Sequence, residues 1–156
     1  MPTHAEKRHV PWRADQMYDL VAAVDRYPEF LPWCSGARIR RRELADGHET
    51  LIADLIISFK VFREKFTSRV TLRPEETRVD VDYVDGPFRY LANHWHFIPR
   101  EDGGCDIDFY VDFEFRSAIL QRVVTALFQE AMQRLVRAFE ARARDLYGPG
   151  EEAAQA

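Results

Sequence analysis

From Ala37 to Phe115 apolar residues recur at every second position, and from Ser117 to Tyr147 they recur at threes and fours. The first pattern runs through Leu51, Ala53, Leu55, Ile57 and Phe59, then Phe66, Ser68, Val70 and Leu72, then Val79, Val81 and Tyr83. It continues through Leu91, Trp95 and Phe97, and through Ile107, Phe109, Val111, Phe113 and Phe115. Charged or polar neighbours fill most of the alternate positions, so each run predicts a half-buried antiparallel strand with its greasy, aromatic face turned to one side. The turn-forming clusters at 45–47, 73–76, 85–87 and 100–104 separate successive runs and predict a meander of hairpins.

In the second pattern Leu120, Val123, Val124, Leu127, Phe128, Ala131, Leu135 and Phe139 form one stripe, with arginines over much of the remaining surface. Ser117 is placed to cap this helix and Gly148-Pro149 to stop it. At about 1.5 Å per residue it spans on the order of 45 Å, enough to cross a whole sheet. After a short N-terminal segment, Met17, Leu20, Val21 and Val24 predict a shorter amphipathic helix over Ala14 to Val24. The expected fold is therefore α+β: a curved antiparallel sheet of about six or seven strands wrapped around a long C-terminal helix. Residues 1–148 are expected to form a single domain, with 149–156 as a flexible acidic tail.

One helix is only about 10–12 Å across, so a bent sheet facing it leaves a concavity to be filled by side chains or by a guest. Candidate ligand-contacting positions are Phe59, Phe66, Tyr83, Leu91, Trp95, Phe97 and Phe113 on the sheet, with Val124, Phe128 and the pliable Met132 on the helix. Each aromatic taken singly also fits a plain core position. The stretch Tyr27 to Cys34 carries two prolines yet is unusually aromatic for a connection. Its Leu31, Pro32 and Trp33 suit either a gate over a cavity mouth or a plug in the core.

Glu64 shares the alternation of Phe66 and Ser68, which predicts a carboxylate near the cavity or its rim, where it needs a partner or a raised pKa. Ser68 and Tyr83 are candidate hydrogen-bond donors to a ligand carbonyl. His94 and His96 fall on the opposite face among Asp80, Asp82, Asp108 and Asp112, where cross-strand ion pairs explain them better than a metal site does.

The chain has 156 residues, 46% of them hydrophobic, enough for one sizeable core. Lys+Arg of 22 against Asp+Glu of 26 gives a net charge of -4, which argues against DNA as a partner. No run approaches the roughly 18 apolar residues of a membrane span and no signal-type segment opens the chain, so a cytoplasmic location is expected. Cys34 and Cys105 form no metal-type spacing, and neither a nucleophile elbow nor a phosphate loop nor a zinc-protease motif occurs. No catalytic residue, catalytic cofactor or metal is assigned.

Three motifs carry a family resemblance: Tyr27-Pro-Glu-Phe-Leu-Pro-Trp-Cys34, Phe62-Arg-Glu-Lys-Phe-Thr-Ser-Arg-Val70 and Trp95-His-Phe-Ile-Pro99. Together they resemble the coenzyme-Q-binding START-like family, within the wider polyketide-cyclase and lipid-transfer superfamily. The resemblance runs from about Thr3 to Leu146. It implies a helix-grip fold that binds ubiquinone or a similar polyprenyl lipid and assists its delivery in respiration without chemical change, with transient contact at the inner face of the membrane. A bacterial branch of the family is described as a ribosome-association toxin that binds the large ribosomal subunit, and an aromatase or cyclase on the same fold is a third alternative. The arginines of the last helix, Arg116, and the run Arg38 to Arg42 suit anionic lipid or ribosomal RNA, or a merely solvated surface.

Overall fold

A computed structural model describes residues 3–31, 33–45, 47–59 and 62–148. Seven strands form one curved antiparallel sheet, and a long C-terminal helix lies across it. The strands are β1 (Thr3–Val10), β2 (Cys34–Ala45), β3 (His48–Phe59), β4 (Phe62–Arg73), β5 (Arg78–Asp85), β6 (Phe88–Pro99) and β7 (Cys105–Phe115). The helices are α1 (Ala14–Ala22) and α2 (Ala118–Tyr147). The spatial order β1-β7-β6-β5-β4-β3-β2 is the expected meander from β2 to β7, closed at its far edge by β1.

Strand β1 is the element that the apolar period did not show. It pairs with β7 from Thr3↔Asp112 to Val10↔Cys105, yet its inner positions carry His4, Glu6 and Arg8. Two of them reach groups distant in the sequence. The Arg8 guanidinium donates to both carboxylate oxygens of Glu140 on α2, and the His4 ring sits 5.9 Å from Phe109 and 6.1 Å from Phe128.

Register shifts occur between Cys34 and Gly36 and between Ile39 and Arg41 in β2, at Thr67/Ser68 in β4, and at Phe88/Tyr90 in β6. Extra residues of this kind raise the local twist and bend a strand, which is how a flat ladder becomes a trough. Gly86 closes the β5–β6 turn at φ 143, and a Cβ there would stand 2.6 Å from the Cβ of Phe66. Only glycine lets this turn adopt that backbone while pressing against β4.

Helix α1 ends two residues earlier than its period suggested. The chain then continues as a 3-10 helix over Val24–Glu29 with Pro28 inside it. Short 3-10 segments tolerate this because few of their N–H groups have intrahelical partners to lose. Ser117 caps α2, its hydroxyl accepting from the Leu120 N–H at 3.3 Å, and Gly148 follows the last turn at φ 75.

The two ends of α2 differ. At its C-terminal end Trp12 Nε1 donates to the Gly148 carbonyl at 2.8 Å, and the Tyr147 hydroxyl donates to the Gln16 carbonyl at 3.0 Å. Met17, Val21, Phe97, Phe139 and Ala143 fill the space there almost completely. Toward its N-terminal end only Phe128 is fully buried, while Leu120, Val124 and Leu127 keep part of their surface. The helix is thus anchored at one end and bridges open space at the other.

Candidate functional site

The space under α2 consists of two adjoining lobes. The first, about 190 Å³, is bounded by Val24 and Tyr27 of the 3-10 segment and Leu31 just after it, by the inner faces of β3 to β7, and by Met132, Leu135 and Phe139 of α2. The second, about 290 Å³, lies toward the start of α2 among Trp33, Phe88, Phe113, Phe115, Val124, Leu127, Phe128 and Ala131. Ile57, Phe66, Leu91, Val111, Met132 and Leu135 line both, so one continuous wall joins them. An apolar hole of about 150 Å³ in a protein interior stays dry and accepts a benzene ring, so each lobe has room for at least one ring-sized apolar group.

Among the described residues, the polar wall groups belong to the first lobe, and most are already engaged. Asn93 Nδ2 donates to the Tyr110 carbonyl at 2.9 Å while its Oδ1 accepts from Trp95 Nε1 at 2.9 Å. The Tyr27 hydroxyl donates to the Val21 carbonyl, and burial raises its pKa well above that of an ordinary phenol. Cys34 Sγ contacts the Gly36 carbonyl at 3.4 Å, and burial pushes this thiol up as well. Ser68 is 1% exposed, lines the lobe, and makes no side-chain hydrogen bond among the described residues. As part of the lobe wall, this hydroxyl can donate to an acceptor on a ligand there.

Tyr27, Leu31 and Cys34 wall the first lobe and Trp33 the second, and neighbouring contacts clasp this connection to α2. Phe30 and Tyr27 meet Phe139 edge-on at 5.2 and 5.7 Å. Arg142 donates to Glu29 at 2.7 Å and stands 5.2 Å over the Phe30 ring, and Arg134 stands 5.4 Å over Trp33. Hydrogen bonds from Arg26 and then Arg142 hold the Glu29 carboxyl below its ordinary range. The segment is both a wall of the cavity and a connection fastened by exposed polar contacts.

Most of the positions expected from the sequence lie on this cavity: Leu31, Trp33, Phe66, Ser68, Leu91, Trp95, Phe113, Val124, Phe128 and Met132. Three require correction. Glu64 pairs with Ile57 and so has the expected facing, but it is exposed and lines neither lobe, since alternation fixes facing and not cover. Tyr83 also lies off the cavity, its phenol oxygen accepting from the Phe88 N–H at 3.1 Å to brace the β5–β6 turn. Phe97 is fully buried beyond the cavity, stacked on Trp95 at 6.0 Å in the packed end of the core. Pro32 and the side chain of Phe59 lie outside the described residues.

Sequence reasoning missed Tyr27, Cys34, Asn93, Val111, Leu135 and Ala131 as wall residues. Asn93 shares the facing of Trp95 and was legible by alternation, although its amide gave no apolar signal. On the opposite face His94 Nδ1 lies 2.8 Å from Asp80 and its ring stacks on Tyr110 at 5.9 Å, an ordinary cross-strand arrangement. Among the described residues no cluster of His, Cys, Asp or Glu is placed to hold a metal ion. No described helix is long and apolar enough to cross a membrane.

The pattern of the family described as "Polyketide cyclase / dehydrase and lipid transport" matches residues 10–140. The chain belongs to this family. Among its relatives is the ribosome association toxin RatA of Escherichia coli, 36% identical over 147 residues, which cover 94% of this chain and 90% of RatA. The mitochondrial coenzyme Q-binding protein COQ10 homolog B of Xenopus laevis is 31% identical over 152 residues, 95% of this chain and 60% of that protein. An 18 kDa Caulobacter crescentus protein of solved structure superposes with a TM-score of 0.79 at 34% identity, covering 95% of this chain and 99% of that one. The Zhui aromatase/cyclase from Streptomyces superposes with a TM-score of 0.78 at 16% identity, covering 96% and 98% of the two chains, a likeness of fold alone. The family fold is START-like, and its lipid-transport description agrees with an apolar cavity enclosed between sheet and helix.

Proposed function

We propose that the protein binds ubiquinone or a similar polyprenyl lipid and delivers it unchanged in support of respiratory electron transport. The observation that carries this reading is the two-lobed cavity, whose second lobe is bounded entirely by apolar residues and whose first lobe adds a few polar groups. A quinone ring fits the polar lobe, with a carbonyl oxygen accepting from the Ser68 hydroxyl, and a prenyl tail fits the hydrocarbon lobe. Each 100 Å² of tail surface removed from water contributes roughly 2.5 kcal/mol, so affinity needs little from the head. The name of the coenzyme Q-binding relative supports the same ligand class.

Binding is favoured over catalysis by the chemistry of the wall. Among the described residues lining the two lobes there is no carboxylate and no imidazole, and the Asn93 amide and Tyr27 phenol are committed to structural bonds. A cyclase needs general acid and base groups converging on its substrate. In this reading the protein works in the cytoplasm and at the inner face of the membrane, where its ligand resides.

A second reading, association with the large ribosomal subunit, is supported by the 36% identity to a protein named as a ribosome association toxin. One experiment separates the two. Protein purified from membrane-containing cells is extracted with organic solvent and the extract is analysed by mass spectrometry, in parallel with ribosome cosedimentation at graded salt. Stoichiometric quinone, lost in a Trp95→Ala, Phe128→Ala protein that remains folded, supports the carrier. Empty protein that refuses added quinone and sediments with the large subunit supports the second reading instead.

A further inference from the structure

Helix α2 is apolar on two sides over its first turns. Leu120, Val124, Leu127 and Phe128 face the sheet, as a packed helix requires, but Ile119 is 76% exposed and Val123 is 43% exposed. These two are four residues apart, and with Arg122 and Ala126 they form one strip at helical spacing, every member exposed. Arg116 is exposed just ahead of the helix, its Nε held by the Phe88 carbonyl at 3.0 Å. Between Arg116 and Glu130 the chain carries no acidic residue. In neighbouring elements Glu114 of β7 faces Arg89 at 4.0 Å, and Asp85 is the last residue of β5.

We infer that this strip docks the protein on an anionic lipid bilayer, with Ile119 and Val123 inserted among the acyl chains and Arg116 and Arg122 at the headgroups. The inference rests on the lipid-binding reading above. The combination of aliphatic and cationic side chains decides the partner: a bilayer interface rewards both kinds at once. A nucleic-acid backbone would use the arginines but gain nothing from exposed Ile and Val, since its contacts are phosphate pairing and base stacking. A second copy of this chain needs about 800 Å² per partner for a stable interface, more than a strip of this size supplies. Position adds a use, because the same turns of α2 supply Val124, Leu127 and Phe128 to the second lobe. Docking through Ile119 and Val123 brings the hydrocarbon lobe against the membrane, where an apolar tail can pass without crossing water.

The test is flotation of the full chain with vesicles of equimolar phosphatidylcholine and phosphatidylglycerol, against pure phosphatidylcholine, at low and high salt. The wild type is expected to float with the anionic vesicles in a salt-weakened manner. Arg122→Gln is expected to lower partitioning about fivefold, and Ile119→Asp with Val123→Asp to lower it about tenfold or more. Leu44→Asp, an equally drastic change at an 80% exposed site on β2, should leave partitioning unchanged. Circular dichroism checks folding, and titration with detergent-solubilised quinone should give wild-type affinity for every variant. Wild-type flotation of the Ile119→Asp, Val123→Asp protein overturns the inference, as does quinone binding without any flotation of the wild type. Loss of ribosome cosedimentation in these variants without any vesicle binding assigns the strip to the ribosome and also overturns it. Flotation lost as expected while no form binds quinone leaves the docking strip standing and removes the quinone reading.

Discussion

Ala131→Leu tests whether the space beneath α2 is an unfilled cavity that holds the ligand. Ala131 faces the second lobe from the middle of α2, where about 290 Å³ is bounded by apolar residues. In a filled core the added carbons would force neighbours off their rotamers and destabilise the fold by about 1–3 kcal/mol. Here they have somewhere to go. Leucine is nearly as good a helix former as alanine, and burying the equivalent of three methylenes at about 0.8 kcal/mol each sets an upper bound near 2.4 kcal/mol of stabilisation. Partial burial brings the expectation to about 1–2 kcal/mol, a rise in Tm of roughly 2–8 °C for a domain of this size. The assay is thermal and urea unfolding of delipidated protein, followed by quinone titration read through Trp33 and Trp95, which line the two lobes. The variant should be more stable and bind more weakly. Destabilisation would mean that the lobe is not free space, and stabilisation with unchanged affinity would mean that the ligand does not occupy it.

Gly86→Ala combines a left-handed backbone position with a Cβ 2.6 Å from that of Phe66, so it should destabilise by about 1–3 kcal/mol in urea unfolding and weaken ligand binding as Phe66 shifts. Removing the clasp on the covering segment with Arg142→Ala should speed ligand exchange in stopped-flow fluorescence more than it changes equilibrium affinity. The Glu29 carboxyl is held below its ordinary value of 4.5, first by Arg26 and then by Arg142, so its contribution is fully present above that value and lost as pH falls through the lowered one. Ligand exchange should therefore accelerate only under acid conditions, and acceleration at neutral pH in the wild type would contradict the clasp. Burial pushes the Cys105 thiol up to about 12 and raises that of Cys34, so neither should react with iodoacetamide until the protein unfolds. Because both thiols wait on unfolding, bound ligand, which stabilises the folded state, should slow modification of Cys34 and Cys105 alike.

The sheet and the long helix were legible because one face of each is buried and the other solvated, which writes a period into the sequence. Strand β1 was not, because His4 and Arg8 find their partners in Phe128 and Glu140, more than a hundred residues away. Alternation also says which way a side chain faces and not whether anything covers it. That is why Glu64 proved exposed and why Tyr83 proved to brace a turn. Trp33 and Leu31 stood out as aromatic and aliphatic residues in a proline-bearing connection, whereas the fastening of that connection by Arg134 and Arg142 depends on where α2 crosses. The division of the cavity into a polar lobe at Ser68 and Asn93 and a hydrocarbon lobe at Phe113 and Phe128 depends on tertiary placement, which no local pattern records.

The central claim is that one continuous apolar cavity holds a polyprenyl ligand, and the most direct test is photocrosslinking with a quinone that carries a diazirine on its tail. After irradiation, proteolysis and mass spectrometry, adducts are expected on wall residues of the second lobe, such as Val124, Phe128 and Met132. They should disappear when unlabelled quinone competes. Adducts confined to the outer face of the sheet, or labelling that unlabelled quinone does not displace, would contradict the account.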